Sequence, residues 1–159
     1  QDVTQHHREH NRLIHLAERD ALTGLLNRAG FESSLERLAF ADDAATLALL
    51  YIDLDHFKPV NDRHGHLAGD RLLQLFAQRL LGTVRTSDVV ARLGGDEFAV
   101  LLAGIGEPTQ ALLVADKVLA AAREPFEVNG HAVDVSASVG IAIGVHPQAG
   151  WRDLVARAD

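Results

Sequence analysis

The sequence predicts a single α+β domain in which a mainly antiparallel sheet is flanked by helices. Three observations predict it. Residues 46–55 form a continuous apolar run that ends in acids. Residues 92–102 place strand-like runs on both sides of a Gly-Gly-Asp-Glu turn. Residues 66–81 and 108–123 bracket these strands with helical patterns. The predicted order is helix, helix, strand, helix, helix, hairpin, helix, strands, helix. A chain of 159 residues suits one domain with a real core.

Residues 1–19 are polar, rich in His, Arg and Glu, and free of Gly and Pro. They read as a helix with a thin apolar stripe through Leu13, Ile14, Leu16 and Ala17, a signalling or linker segment ahead of a domain over 20–159. His6 and His10 stand at i, i+4, as a metal pair would, but a solvated helix face explains them more simply. Gly24 breaks the helix, and a second one follows over 28–41. The run 46–55 is the pattern of a strand buried on both faces whose end emerges at a site. Residues 56–65 read as a short helix plus loop. Helical spacing of Leu72, Leu73, Phe76 and Leu80 marks 66–81. Residues 88–93 and 98–102 form the hairpin, 108–123 a helix, and 133–145 strand bent near Gly140. A last helix begins at 151.

Composition narrows the function. There is no cysteine, which excludes a disulfide scaffold and a thiolate metal site and fits a reducing, cytoplasmic setting. There is no methionine, even at position 1, so the chain reads as part of something longer. No apolar run approaches the ~20 residues of a membrane span, and nothing reads as a signal peptide. A net charge of −7 without a basic stripe argues against nucleic-acid binding. A nucleotide remains a fitting partner if metal ions offset the repulsion.

Gly94 and Gly95 let the backbone turn sharply and clear room beside it, and Asp96 and Glu97 stand at the lip. A surface hairpin explains that string about as well as a site does, so the rest of the chain must decide. Asp53 and Asp55 share one face of their strand. If that strand neighbours the hairpin, their backbones lie ~4.8 Å apart and Asp53 and Asp96 can share a divalent cation. Oxygen-only ligands suit Mg²⁺, with Mn²⁺ as the alternative. Such metals activate a hydroxyl and steady a leaving pyrophosphate. Asp55 alternatively caps the next helix. Lys58, one of only two lysines, follows within a turn and can neutralise phosphate charge. Asn61, His66 and Asp70 come next. An amide and a carboxylate together can read guanine, although turn chemistry or helix capping accounts for any one of them alone.

These residues carry a resemblance. Asp20-Ala-Leu-Thr-Gly-Leu-Leu-Asn-Arg, Asp53-Leu-Asp-His-Phe-Lys-Pro-Val-Asn-Asp, Gly65-His-Leu-Ala-Gly-Asp and Arg92-Leu-Gly-Gly-Asp-Glu-Phe stand in order. At that spacing the chain resembles the GGDEF domain of the bacterial diguanylate cyclases. The resemblance implies a nucleotidyl-cyclase sheet akin to polymerase palms, and condensation of two GTP to cyclic di-GMP and two pyrophosphates. It implies Asp53, the Leu54 carbonyl and Asp96 as metal ligands. It implies Glu97 or Asp96 as acceptor of the 3′-hydroxyl proton, and Lys58 as the phosphate-stabilising lysine. It implies Asn61, His66 and Asp70 as guanine and ribose contacts. In the family a serine at the position of Asp70 marks relatives that also accept ATP, so Asp70 favours guanine.

Arg85-Thr-Ser-Asp88 resembles the family's RxxD product-inhibition site, where a forked arginine grips phosphate and guanine. An ordinary surface ion pair is the competing account. A product made of two identical halves implies two domains facing across a twofold axis, brought together by an upstream sensory segment. The family continues past its last helix with a lysine and an arginine that touch the phosphates. This chain stops at Asp159 ahead of them, so its C-terminal end reads as truncated. Two other functions are open: a silent module that binds GTP or cyclic di-GMP and regulates an attached phosphodiesterase, and a dinucleotide cyclase of mixed base preference.

Overall fold

The computed structural model describes residues 9, 17–39 and 46–144. In chain order the elements are α1 (Arg28–Ala39), β1 (Thr46–Asp55), α2 (Phe57–His64), α3 (His66–Leu81), β2 (Val89–Gly94), β3 (Glu97–Ile105), α4 (Pro108–Arg123), β4 (Phe126–Val128), β5 (His131–Val133) and β6 (Ser136–Ile143). The main sheet has the order β2-β3-β1-β6, and every pairing in it is antiparallel. This is the α+β architecture expected from the sequence. Among the described residues no helix is long and apolar enough to cross a membrane.

The unbroken apolar run of β1 has a simple cause: both of its faces are covered. Ala48, Leu50, Ile52 and Leu54 point into a core shared with Phe98, Val100 and Leu102 of β3 and with Leu72, Phe76 and Leu80 of α3. Leu47 and Leu49 point the other way, against Phe31 and Leu35 of α1 and Ala91, Ala99 and Leu101 of the hairpin. Burying each of these leucine, isoleucine, valine and phenylalanine side chains stabilises the fold by roughly 1.5–3 kcal/mol, so the register of β1 is strongly specified from both sides.

Some boundaries differ from the sequence expectation. The strand-rich region 133–145 divides between two strands. Val133 ends β5, and β6 begins at Ser136. The small β4–β5 sheet was not anticipated, although it carries a signal. Asn129 and Gly130 form its two-residue loop with φ of 51° and 79°, the pair of positive φ values that Asn-Gly favours in tight hairpins. The β1–β6 ladder runs through Gly140 without a register shift, so the expected bend does not interrupt the pairing. The stretch 56–65 is more regular than expected, with helix over Phe57–His64. The N-terminal helix over 1–19, apart from Glu9 and residues 17–19, and the helix from 151 lie outside the described residues.

One side chain ties the helical layer together. Arg79 of α3 donates from Nη1 to the carbonyls of Ala121 (2.7 Å) and Glu124 (2.6 Å), and from Nη2 to that of Pro125 (2.7 Å). Its guanidinium lies 3.6 Å from the centre of the Phe126 ring. It thereby satisfies carbonyls at the C-terminal end of α4 that the helix itself cannot. Arg79→Ala is expected to cost about 2–4 kcal/mol, as lost charge-assisted bonds and a cation–π contact. Urea denaturation reads this directly, and a loss within about 0.5 kcal/mol, the range of ordinary surface changes, would contradict it.

Candidate active site

The alternation that sends Leu47 and Leu49 toward α1 carries on to Asp53 and Asp55 at the end of β1. Asp53 stands opposite Glu97 of β3 on one side and Ser138 of β6 on the other, and Asp55 stands opposite Ser136. Asp55 accepts hydrogen bonds from the hydroxyls of Ser136 (3.1 Å) and Ser138 (3.0 Å). It therefore does not cap α2, the alternative left open by the sequence. The N-cap of α2 is His56, at φ 64° and without a side-chain cap bond.

The β2–β3 hairpin closes at Gly95-Asp96, with Gly94 paired to Glu97. Gly95 adopts φ 52°, a conformation that costs glycine little, and a side chain at Gly94 or Gly95 would meet open space. The carbonyl of Asp96 accepts from the backbone N–H of Leu54 at 3.1 Å, which fastens the turn to the end of β1. Asp53 and Asp96 are thus brought within hydrogen-bonding reach of each other. Partial burial lifts the Asp53 carboxyl from its ordinary 3.8 to about 6, with the negative charges of Asp96, Glu97 and Asp55 and a hydrogen bond to Asp96 adding to the effect.

The turn is braced by residues whose role the sequence did not reveal. Arg92 donates from Nε to the Gly95 carbonyl (2.9 Å) and from Nη1 to Asp20 (3.0 Å), and its backbone N–H donates to Leu26 (2.8 Å). Asp20 also accepts from the Thr23 backbone (2.9 Å) and hydroxyl (2.6 Å). The Asp20 block and the glycine turn are therefore one hydrogen-bonded unit. Their partners lie 72 residues apart, so no local spacing could have announced it.

Lys58 is exposed on the first turn of α2, and Asn61 is half-buried one turn on. His66 opens α3 and is exposed. Asp70 is exposed on α3 directly after Gly69, which packs against Asn61. Asn61 thus packs on the residue that precedes Asp70, whereas Lys58 and His66 make no side-chain hydrogen bond among the described residues. No cluster of three or more metal-ligating side chains occurs among the described residues. The carboxylates of Asp53 and Asp96 form a smaller, oxygen-only pair. Such a pair fits a hard cation completing its shell with backbone, water and substrate oxygens.

Arg85 and Asp88 stand at the opposite end of β2, about 20 Å along the strand from the glycine turn. Arg85 donates to Asp88 through Nε (3.3 Å) and Nη2 (3.0 Å) and also to the Ala103 carbonyl (2.9 Å). Asp88 pushes the Arg85 guanidinium further toward its charged form. The Asp88 side chain is 1% exposed and that of Arg85 59%. They line a groove of about 340 Å³ with Thr83, Gln110, Leu113 and Lys117. Lys117 is the second of the chain's two lysines.

Residues 17–159 match the family described as "Diguanylate cyclase, GGDEF domain". The chain is 46% identical over 138 residues to the diguanylate cyclase TpbB of Pseudomonas aeruginosa strain UCBPP-PA14, covering 85% of this chain and 32% of that protein. It is 45% identical over 139 residues to the bifunctional diguanylate cyclase/cyclic di-GMP phosphodiesterase MucR of P. aeruginosa PAO1, covering 86% of this chain and 20% of that protein. The chain thus spans a third or less of the length of these relatives. Among solved structures, the GGDEF domain of TpbB superposes with a TM-score of 0.81 at 43% identity, covering 88% of this chain and 86% of that one. The coiled coil and GGDEF domain of DgcB from Caulobacter crescentus, in complex with cyclic di-GMP, superposes with a TM-score of 0.85 at 25% identity, covering 98% and 84%. With the acid pair at its glycine turn and a match over nearly its whole length, the chain belongs to the GGDEF diguanylate cyclase family.

Proposed function

We propose that this domain condenses two GTP into cyclic di-GMP and two pyrophosphates, each chain holding one GTP and two chains facing across a twofold axis. The observation that carries the proposal is the meeting of Asp53 and Asp96 beside the open space of the glycine turn. Asn61 and Asp70 read the guanine, and His66 lies near the sugar. Lys58 offsets charge on the phosphates. Glu97, directly opposite Asp53, receives the proton of the attacking 3′-hydroxyl. The oxygen of that hydroxyl bonds to the α-phosphorus of the facing GTP, and the bond to pyrophosphate breaks. Asp53, Asp96 and the Leu54 carbonyl would hold Mg²⁺, or Mn²⁺ in its place, which supplies positive charge to the triphosphate and the hydroxyl when bound. An upstream sensory segment in the cytoplasm, by this reading, sets how two chains meet.

A second reading is favoured by one observation, the groove beside Arg85 and Asp88. There the domain takes up cyclic di-GMP, as feedback on its own synthesis or as a silent regulatory module. The cyclic di-GMP phosphodiesterases NbdA of P. aeruginosa and PdeR of Escherichia coli are relatives at 38% and 35% identity. Chromatography of nucleotides after incubation with GTP alone, and with GTP plus ATP, separates the readings. Cyclic di-GMP marks the cyclase, a mixed dinucleotide marks relaxed base preference, and unchanged GTP marks the silent module.

Glu97→Gln is expected to lower cyclic di-GMP formation by about 10²–10⁴-fold with the thermal midpoint little changed. Retention of the wild-type rate would place the chemistry elsewhere. Arg85→Ala is expected to relieve inhibition by added cyclic di-GMP, and unaltered feedback would remove Arg85 from that role.

The metal reading has a pH signature. Because the folded pKa of Asp53 lies above its unfolded value, its contribution to stability is fully present below about 4 and is lost as pH rises through about 6. At neutral pH the metal-free fold therefore carries unrelieved repulsion, which a divalent cation offsets. The rise in thermal midpoint on adding Mg²⁺ should be larger near about pH 7.5 than near about pH 5. Asp53→Asn should stabilise the metal-free fold near neutral pH and remove most of that rise. An equal Mg²⁺ effect at both pH values would sink the metal assignment.

A further inference from the structure

We infer that Gly69 is a positioning residue for base recognition: the side chain it lacks leaves the slot that seats the Asn61 amide beside Asp70, so that the two act on one nucleobase together. The inference rests on the guanine-reading role proposed above and assigns a residue on which that role depends.

Gly69 is buried in the first turns of α3, where glycine weakens a helix and alanine would strengthen it. Backbone conformation does not explain it, because Gly69 is absent from the glycines with positive φ. Space does. A Cβ at Gly69 would collide with Asn61 Oδ1, lie 2.8 Å from Asn61 Cγ and reach the Phe57 ring at 3.2 Å. The principal occupant of the missing side chain's volume is therefore the Asn61 amide, with the Phe57 ring alongside.

That occupancy is costly to the fold in a way that packing alone does not justify. Asn61 Oδ1 is buried without a hydrogen-bond partner, and no other buried side-chain nitrogen or oxygen among the described residues is in that state. A buried acceptor left unpaired destabilises a protein. An apolar side chain would fill the same gap without that penalty. What the arrangement fixes is orientation. The amide oxygen is turned inward onto Gly69, which leaves the amide nitrogen as the outward end of the group. Asp70 follows Gly69 and is exposed. An outward N–H donor beside a carboxylate acceptor suits a base that offers an acceptor next to N–H donors. Guanine has that pattern. Adenine presents a bare ring nitrogen where guanine has N1–H, so the carboxylate finds no donor there.

The test is a double-mutant cycle on Gly69→Ala and Asn61→Ala, read in GTP and ATP affinity and in kcat against KM of the dimerised domain. Gly69→Ala is expected to raise Kd and KM for GTP by about tenfold or more, to leave kcat at saturation within a few-fold, and to narrow the preference for GTP over ATP. On the Asn61→Ala background it should add nothing further, because the group it displaces is gone. Equal losses with and without the Asn61 amide would overturn the inference, as would a Gly69→Ala domain with wild-type Kd and base preference. If Gly69→Ala alone does not fold, Asn61→Asp reads the same point. It fits the same slot and replaces the outward donor by an acceptor, so undiminished GTP affinity in it would overturn the inference. Failure of the underlying reading looks different: the unaltered domain would then bind no GTP, and both conclusions would fall together.

Discussion

The site depends on one register. A backbone bond of 3.1 Å from Leu54 to the carbonyl of Asp96 locks the end of β1 to the glycine turn, with Asp53 opposite Glu97. Because side chains alternate along a strand, a slip of one residue would drive Asp53 and Asp55 into the core now filled by Ile52 and Leu54, and turn those apolar groups out. The two hydrophobic layers against β1 forbid that slip. The geometry of the acids is thus set by packing well away from them. The acids are the continuation, past the edge of the α1-facing core, of the same stripe that carries Leu47 and Leu49.

That arrangement holds negative charges together and does not neutralise them internally. Burial first, and then the nearby charges of Asp96, Glu97 and Asp55, raise the Asp53 pKa. Arg92 stands close by in sequence, yet its guanidinium is spent on Asp20 and the Gly95 carbonyl. It shapes the turn and leaves the carboxylates uncompensated. Lys58 is exposed and without a side-chain partner among the described residues, so it is open to phosphate. A fold that commits its arginine to Asp20 and a backbone carbonyl, and leaves acids and a lysine open, suits the metal-bound triphosphate of the function proposed above.

Much of this was legible in the sequence, for a physical reason. A strand buried on both faces, a hairpin at paired glycines and helices with apolar stripes are all written in short-range periodicity. Asp53 and Asp96 could be paired before any coordinates only on the condition that β1 neighbours the hairpin, an adjacency that the structure supplies. What stayed hidden acts through other means. Arg79 and Arg92 bond to backbone carbonyls, which any residue type can supply, and Arg92 finds Asp20 across 72 positions. The β4–β5 sheet has three residues in each strand, too few for a pattern, so its Asn-Gly loop was the sole clue. The closeness of Gly69 to Asn61 follows from how α2 meets α3, an angle that no count of residues gives.

The position of Arg85 bears on how any ligand in its groove could influence turnover. The groove and the acid turn occupy opposite ends of the β2–β3 hairpin, too far apart for one small molecule to touch both in a single chain. Coupling between sites requires an element with two arrangements that both ligands bias. The hairpin is a poor candidate, since Val90 and Ala91 of β2 are buried, and the whole of Phe98–Leu102 of β3 is buried and also paired to β1. A core packed that tightly does not deform in small steps. In the condensation proposed above, the variable element that remains is the placement of one domain against another, because two nucleotides would have to meet head to tail before either hydroxyl could attack. A ligand at Arg85 would then act by holding two domains apart or askew, and would leave the acids of each chain where the register of β1 puts them.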